Sequence, residues 1–498
     1  MAVPKVCGIE TEYGISRRGG SDDNPVVASS VLINAYVADQ RIGWDFEDES
    51  PARDARGFQR DPSNPPEVET HLVNAVLTNG ARYYVDHAHP EYSTPECTDA
   101  LDVLIADKAG ERILAESMRL AGRALGPGEE IVVYKNNSDG KSNSYGCHEN
   151  YLMDRSVPFG EIVRTMLPWF VTRQVFTGAG KVGAEHERDR CDFQISARAD
   201  FFEEEVGLET TLKRPLVNTR DEPHALPDEY RRLHVIVGDA NLCEVATLLK
   251  VGTTAIVLAM VEDSAIDRDL SVVGPLHAVR TVARDRTCRT PLELRDGTTA
   301  SAVEIQWEFL RCARAYAART GLEHCGGATV GFDVLDRWER VLGALERDPM
   351  ELDGTLDWVT KLAVLDGFRT RDDLDWRDPK LALVDLQYHD VRPERSLYER
   401  LVRAGRIERV LDERVVEHAV ATPPSGTRAY FRGTCLARWP QAVVAANWDS
   451  IVLDVGEDPL RRIPMMDPLK GTREHVGALL ESCVTPLELV ERLAGPTP

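Results

Sequence analysis

The residues best equipped for chemistry lie between Asn79 and Glu96, in the run NGARYYVDHAHPEYSTPE. A strand's two-residue period puts Arg82, Tyr84 and Asp86 on one face and Tyr83 and Val85 on the other. His87, His89, Pro90, Glu91 and Thr94 follow in a turn-prone stretch that brings a second carboxylate close to the first. Carboxylates and a phenol suit a hard divalent cation, and an arginine suits phosphate oxygens. The plainer reading is a solvated strand with a local ion pair. A second acidic strand stands near the start, where VCGIETEYGIS lines up Gly8, Glu10, Glu12 and Gly14 on one face. Adjacent like charges repel; a bridging cation relieves that repulsion, and so does plain exposure to water.

Composition narrows the function classes. With 498 residues, 43% of them hydrophobic and 28% charged, the chain can build a large core. Eighty-two acids against 59 bases give a net charge of −23, which argues against a nucleic-acid binder. The stretch holding Lys213, Arg214, Arg220, Arg231 and Arg232 is locally basic; it could receive an acidic partner or be ordinary surface charge. Ten cysteines without Cys-x-x-Cys spacing predict reduced thiols rather than a disulfide framework or a zinc site. No basic-then-apolar leader opens the chain, and the near-apolar run 254–261 is too short to span a bilayer. These features predict a cytoplasmic protein without a membrane partner.

The elements that must position these residues follow from periodicity. Apolar spacing predicts helices over 98–125, 159–172 and from about 241 to 261, the last with Asn241 as its N-cap, and further helices between 301 and 420. IVVY, CHENYLM, QISARADFF and RLHVIVGDANLCE read as strands; His148 and Asn150 share a face of the second, and His234 lies on the fourth. TGAGKVGAEH lacks the ending of a phosphate-binding loop and reads as a turn. Residues 37–75 are acidic, proline-rich and without period, which predicts a mobile insertion beside the site. TPPSG at 422–426 reads as a linker. It divides the chain into a catalytic domain, 1–424, and a small α+β domain, 425–498, in which TRAYFRG and WDSIVLDV are expected strands and 473–495 an expected helix. Trp448 suits either core or stacking on a nucleobase.

Together, GIETEYG, NGARYYVDHAHPEYSTPE, SYGCHENYL and RLHVIVGDANLCEVATLLKVG resemble the actinobacterial Pup ligase and Pup deamidase family, relatives of glutamine synthetase and the glutamate–cysteine ligases. The resemblance implies an α+β fold with a large curved, mainly antiparallel sheet backed by helices. It implies magnesium at Glu10, Tyr84 and Glu91, with Glu12 as a further metal position. Arg82, Thr94 and Trp448 match nucleotide contacts and Asp86 the essential carboxylate. Motif context suggests substrate or phosphate roles for Arg198, Arg220, Arg232, His148, His234 and Asn241. The acidic insertion and His87-Ala88-His89 resemble the deamidase branch, whereas GIETEYG is as close to the ligase form. The implied reaction is hydrolysis of the terminal glutamine amide of the small acidic modifier Pup, and of its isopeptide bond to lysine, with Mg2+ and ATP, or ADP plus phosphate, bound. Pup and pupylated proteins are the implied partners, with the proteasomal ATPase as a further candidate. The alternative is the ligase reaction, which forms the same bond.

Overall fold

The computed structural model of the protein describes residues 1–20, 24–37, 42–47, 49–57, 72–185 and 191–494. Ten strands form its central sheet. In chain order they are β1 (Cys7–Glu12), β2 (Gly43–Trp44), β3 (Asn74–Val76), β4 (Arg82–Asp86), β5 (His89–Ser93), β6 (Cys147–Asp154), β7 (Tyr230–Val235), β8 (Val443–Ala446), β9 (Ser450–Leu453) and β10 (Arg461–Pro464). They lie in the order β7-β6-β1-β5-β4-β3-β2-β8-β9-β10. Neighbours run antiparallel except β2 and β8, which are parallel.

Alternation assigns the two faces of this sheet. Cys7 and Ile9 of β1, Cys147, Tyr151 and Met153 of β6, and Leu233 and Val235 of β7 enter the main core. There they meet α2 (Ala100–Ala124), α3 (Phe159–Thr177) and α4 (Glu244–Glu262). Tyr83 and Val85 of β4 and Tyr92 of β5 pack with α1 (Pro25–Val37) and the middle of α2. One face is thereby spent on helices, where Glu149 of β6 pairs with Arg173 of α3, and Glu10, Glu12, Arg82, Asp86 and Glu91 are left on the other. The ten cysteines are free thiols.

Four expectations about local structure need correction. Asn241 does not cap α4: it is buried, and its amide donates to Thr177 O at 3.0 Å and to Asp357 Oδ2 at 3.1 Å. Asp357 accepts from the Leu242 and Cys243 amides, each at 3.0 Å, and so serves the helix start in its place. QISARADFF is not one strand: the short strand Phe193–Gln194 ends at its first residue, 199–201 is a 3-10 turn, and a new strand begins at its last residue, Phe202. TRAYFRG is the beginning of a helix, α5 (Ala429–Arg438), because Phe431, Cys435 and Leu436 recur at helical spacing and are all buried. The last expected helix is two, Arg473–Ser482 and Pro486–Ala494, since Pro486 cannot continue the first. In addition, α4 is long and apolar enough to cross a membrane by length and composition, more so than the run 254–261 suggests, but it is wholly buried in the protein.

The segment 37–75 divides into parts. Residues 38–41, 48 and 58–71 lie outside the described residues. Gly43–Trp44 is not an excursion but a strand inside the main sheet, because Ile42 and Trp44 bury themselves among Val76, Ala446 and Ile451. Residues 53–55 dock on a distant loop: the Ala55 amide donates to Thr219 O at 2.8 Å, the Asp221 amide to Arg53 O at 2.9 Å, and Thr219 Oγ1 to Asp54 Oδ2 at 2.9 Å. Through β2 the strands β8–β10 of the C-terminal region continue the sheet that begins at β7. A buried cluster closes this junction: Glu96, just beyond β5, accepts from Arg428 Nε at 2.8 Å and from both terminal nitrogens of Arg432.

Candidate active site

Register sorts the free face of the sheet into rows. Asp86 stands opposite His89, and Tyr84 opposite Glu91, which faces Glu12 in turn. Arg82 stands opposite Ser93, then Glu10, then His148. Gly8, Asn150 and His234 form the next row. Residues from four segments far apart in sequence thus share one surface, because pairing fixes which side chains fall side by side. The two-residue link between β4 and β5 turns tightly, with His87 at φ 51°, a left-handed conformation that histidine tolerates better than most residues.

Two groups emerge on this surface. Glu12, Asp86 and Glu91 bring ligand oxygens within 4.8 Å of one another, and the Tyr84 hydroxyl donates to Glu91 Oε1 at 2.5 Å. Glu10, His148 and His234 form the second group, also within 4.8 Å. Asn150 organises it, donating to Glu10 Oε1 at 2.8 Å while its oxygen lies 2.9 Å from both Arg232 Nη1 and His234 Nδ1. Tyr84 and Glu91 therefore lie with Glu12, and Glu10 lies one row away among imidazoles.

The proton affinities of the four acids differ in an informative way. Burial, and then the neighbouring carboxylates led by Asp86, push Glu91 well above the usual carboxylate range; burial and Asp86 also raise Glu12. Burial would raise Asp86 too, but the hydrogen bond from His87 at 3.0 Å and nearby positive charge bring it below its ordinary value. Glu10 ends well below, because His148, His234 and Arg232 outweigh its burial. An all-oxygen trio in which two members hold protons too tightly is short of positive charge, and a divalent cation fits that deficit. The mixed oxygen and nitrogen set around Glu10 would also accept a cation.

Beside these groups lies a cleft with about 570 Å³ of empty space, lined by Gly8, Glu10, Thr94, His224, Arg232 and Trp448 among others. Thr94 is fixed by accepting the Ile9 amide at 3.0 Å. A Cβ on Gly8 would come 3.1 Å from Thr94 Oγ1, so the glycine leaves the cleft floor open. Arg82 reaches from β4 across β3, with Nε donating to Asn74 Oδ1 at 3.0 Å. Trp448 follows β8 at the cleft edge, 5.2 Å from the ring of Trp44.

The remaining residues sort by place. His148, His234 and Arg232 belong to the site. Arg220 binds Glu222 at 2.6 and 3.1 Å, and Arg232 Nε donates to Glu222 O at 2.7 Å, so these two arginines share one acidic neighbour. Arg198 is fully buried, its guanidinium donating to Ile236 O and lying 3.3 Å from Ser144 Oγ; burial lowers it to about 10. Asn241 lies with Thr177 and Asp357 in the helix layer. Sequence reasoning passed over Trp44, Glu222, His224 and the pair Arg428 and Arg432. Only Trp44 carried a signal, the apolar alternation of Ile42 and Trp44 within an otherwise acidic stretch.

Residues 5–452 match the family model described as Pup-ligase protein. The chain is 54% identical over 505 residues to the depupylase of Acidothermus cellulolyticus, covering 99% of each chain. It is 48% identical over 501 residues to the Pup deamidase/depupylase of Mycolicibacterium smegmatis, covering 98% of this chain and 99% of that one. The crystal structure of the complex between the prokaryotic ubiquitin-like protein Pup and its ligase PafA aligns with a TM-score of 0.82 at 33% identity, over 99% of this chain and 95% of that one. A structure of PafA in complex with ADP aligns at 0.74 with 36% identity, over 82% and 89%. A match across this much of the sequence, on a sheet whose free face gathers the acids and the arginine that the motifs single out, makes the chain a member of the Pup-ligase protein family.

Proposed function

We propose that this chain is a cytosolic Pup deamidase and depupylase. It hydrolyses the side-chain amide of a C-terminal glutamine on Pup, and the isopeptide bond joining Pup to a lysine of a conjugated protein. The identities of 54% and 48% to chains named for that activity, against 40% and 41% to chains named Pup–protein ligase, favour hydrolysis over ligation. The observation that carries the chemistry is Asp86. Its side chain is 36% exposed, and its proton affinity is lowered while those of Glu12 and Glu91 beside it are raised, which makes it the member of the trio best suited to act on a carbonyl.

Two routes fit this carboxylate. In the first, an Asp86 oxygen bonds to the carbonyl carbon and the carbon–nitrogen bond breaks. Ammonia or the lysine amine leaves with a proton, and water opens the resulting anhydride. In the second, Asp86 takes a proton from a water molecule that attacks the same carbon directly. Magnesium held by Glu12, Glu91 and Tyr84 would supply positive charge for the oxyanion when bound. Arg82, Thr94 and Trp448 would hold the nucleotide, with phosphates toward the arginine and the base toward the indole. Amide hydrolysis in water has no need of nucleotide turnover, so the nucleotide serves as a bound cofactor.

Incubation with magnesium, ATP or ADP, and either glutamine-ended Pup or a Pup conjugate tests the proposal. Ammonia release or free target protein is expected. Conjugation of Pup to lysine without either product would assign the chain to ligation instead.

A further inference from the structure

We propose that Trp44, on the described flank of the acidic segment, is a positioning residue of the nucleotide site: it fixes Arg82 for phosphate and braces Trp448 for the base. This rests on the nucleotide reading above and extends it to a residue outside the family motifs quoted for this sequence.

The geometry around Arg82 is specific. Its guanidinium carbon lies over two rings, 4.0 Å from the Trp44 centroid and 3.9 Å from that of Tyr84. Nε is taken by Asn74. Among the described residues, no carboxylate pairs with Arg82 and no protein acceptor takes its terminal nitrogens. Stacking restrains the orientation of a guanidinium without using its in-plane donors, which stay available for phosphate oxygens. An ion pair would have held the group equally well and consumed the fork.

Trp44 is itself rigid. It is 6% exposed, its backbone pairs with Ala446 in the centre of the sheet, and its indole nitrogen donates to Glu49 Oε1 at 2.6 Å. Its ring meets that of Trp448 edge to face, 5.2 Å between centroids at 72°. One indole therefore touches both the side chain assigned to phosphate and the side chain assigned to the base.

Titration of the full-length protein with MgADP by calorimetry tests this, using Trp44→Phe, Trp44→Leu, Trp44→Ala and Arg82→Ala. Phenylalanine keeps an aromatic face, whereas leucine fills volume without one. We expect Phe to stay within about threefold of the parent Kd, Leu and Ala to weaken ADP at least tenfold, and the loss in Trp44→Leu combined with Arg82→Ala to fall short of the product of the two single losses, because only the part carried through Trp448 remains. KM for the Pup substrate at saturating nucleotide should be unchanged in Trp44→Leu. Equal affinities for Phe and Leu, or additive losses in the double variant, would overturn the role of Trp44 and leave the nucleotide reading standing. A parent protein that fails to bind MgADP would overturn both.

Discussion

Replacing Glu96 by glutamine tests whether the junction between the catalytic strands and the C-terminal region is held electrostatically. The carboxylate is 13% exposed and its partners Arg428 and Arg432 are 3% and 0% exposed, so solvent screens little of the interaction. Burial alone would raise the Glu96 pKa; Arg432 and then Arg428 outweigh it and hold the group near 2 rather than 4.5. That difference is worth roughly 3 kcal/mol at neutral pH, the low end of the ~3–5 kcal/mol expected for breaking a buried pair. With about 2.1 cal/mol/K of unfolding entropy per residue over 498 residues, Glu96→Gln should lower the thermal midpoint by about 3 °C. The sign with pH is fixed. A depressed carboxyl stabilises the fold in full above 4.5, and the contribution is lost as pH falls from 4.5 toward 2. The gap between parent and variant should therefore be constant from pH 7 to 5.5 and begin to close below 4.5. Arg432 Nη1 also donates to Trp448 O at 3.0 Å, so ADP binding should weaken in the same variant. A variant with the parent's midpoint at pH 7, or a gap that widens on acidification, would refute this account.

Three further outcomes follow from the site. Asp86→Asn should lower glutamine hydrolysis by about 10²–10⁴-fold while leaving MgADP affinity near that of the parent; parental ammonia release would remove Asp86 from the chemistry. Glu91→Gln replaces a carboxyl that burial and its acidic neighbours push well above its ordinary range, a cost the amide does not carry, so the metal-free protein should melt higher than the parent and gain less from added magnesium, both read by thermal shift with and without EDTA. Excising the whole of 37–75 should abolish nucleotide binding, because β2, Trp44 and most of β3, with the Asn74 that holds Arg82, go with it. An excised protein that still binds MgADP would show that β2 is dispensable, as expected of a mere insertion.

Much of the catalytic face was legible because strand alternation is short-range. Arg82, Tyr84 and Asp86 fall together by period alone, as do Glu10 and Glu12. What period cannot supply is the partner across the ladder, and that decides the chemistry. Glu12 meets Glu91 and Tyr84, while Glu10 meets His148, purely through the register of β1 between β5 and β6. Residues 37–75 misled for a related reason. Two extended residues in an acidic, proline-rich stretch give too little pattern to betray a central strand, and only long-range pairing with Ala75 and Ala446 makes them one. TRAYFRG misled in the opposite direction, its alternation of aromatic and polar residues hiding a helical stripe that continues into Cys435 and Leu436.

The place of β2 also bears on how such a site is kept in register. The acids on β1, β4 and β5 and the aromatic that follows β8 sit on either side of a two-residue strand, so their spacing depends on the weakest link of the sheet. Two residues contribute few ladder hydrogen bonds. The buried bonds of Glu96 to Arg428 and Arg432, spanning from the end of β5 to the start of α5, bypass that link beside the cleft. Trp44 bridges the same gap through its contacts with Arg82 and Trp448. If the proposed nucleotide binds across it, a junction made twice, once by charge and once by aromatic packing, would let that nucleotide act on the position of the acids beside Asp86. Coupling of that kind predicts that Glu96→Gln and Trp44→Leu, which share no contact, weaken MgADP together by more than the product of their separate effects.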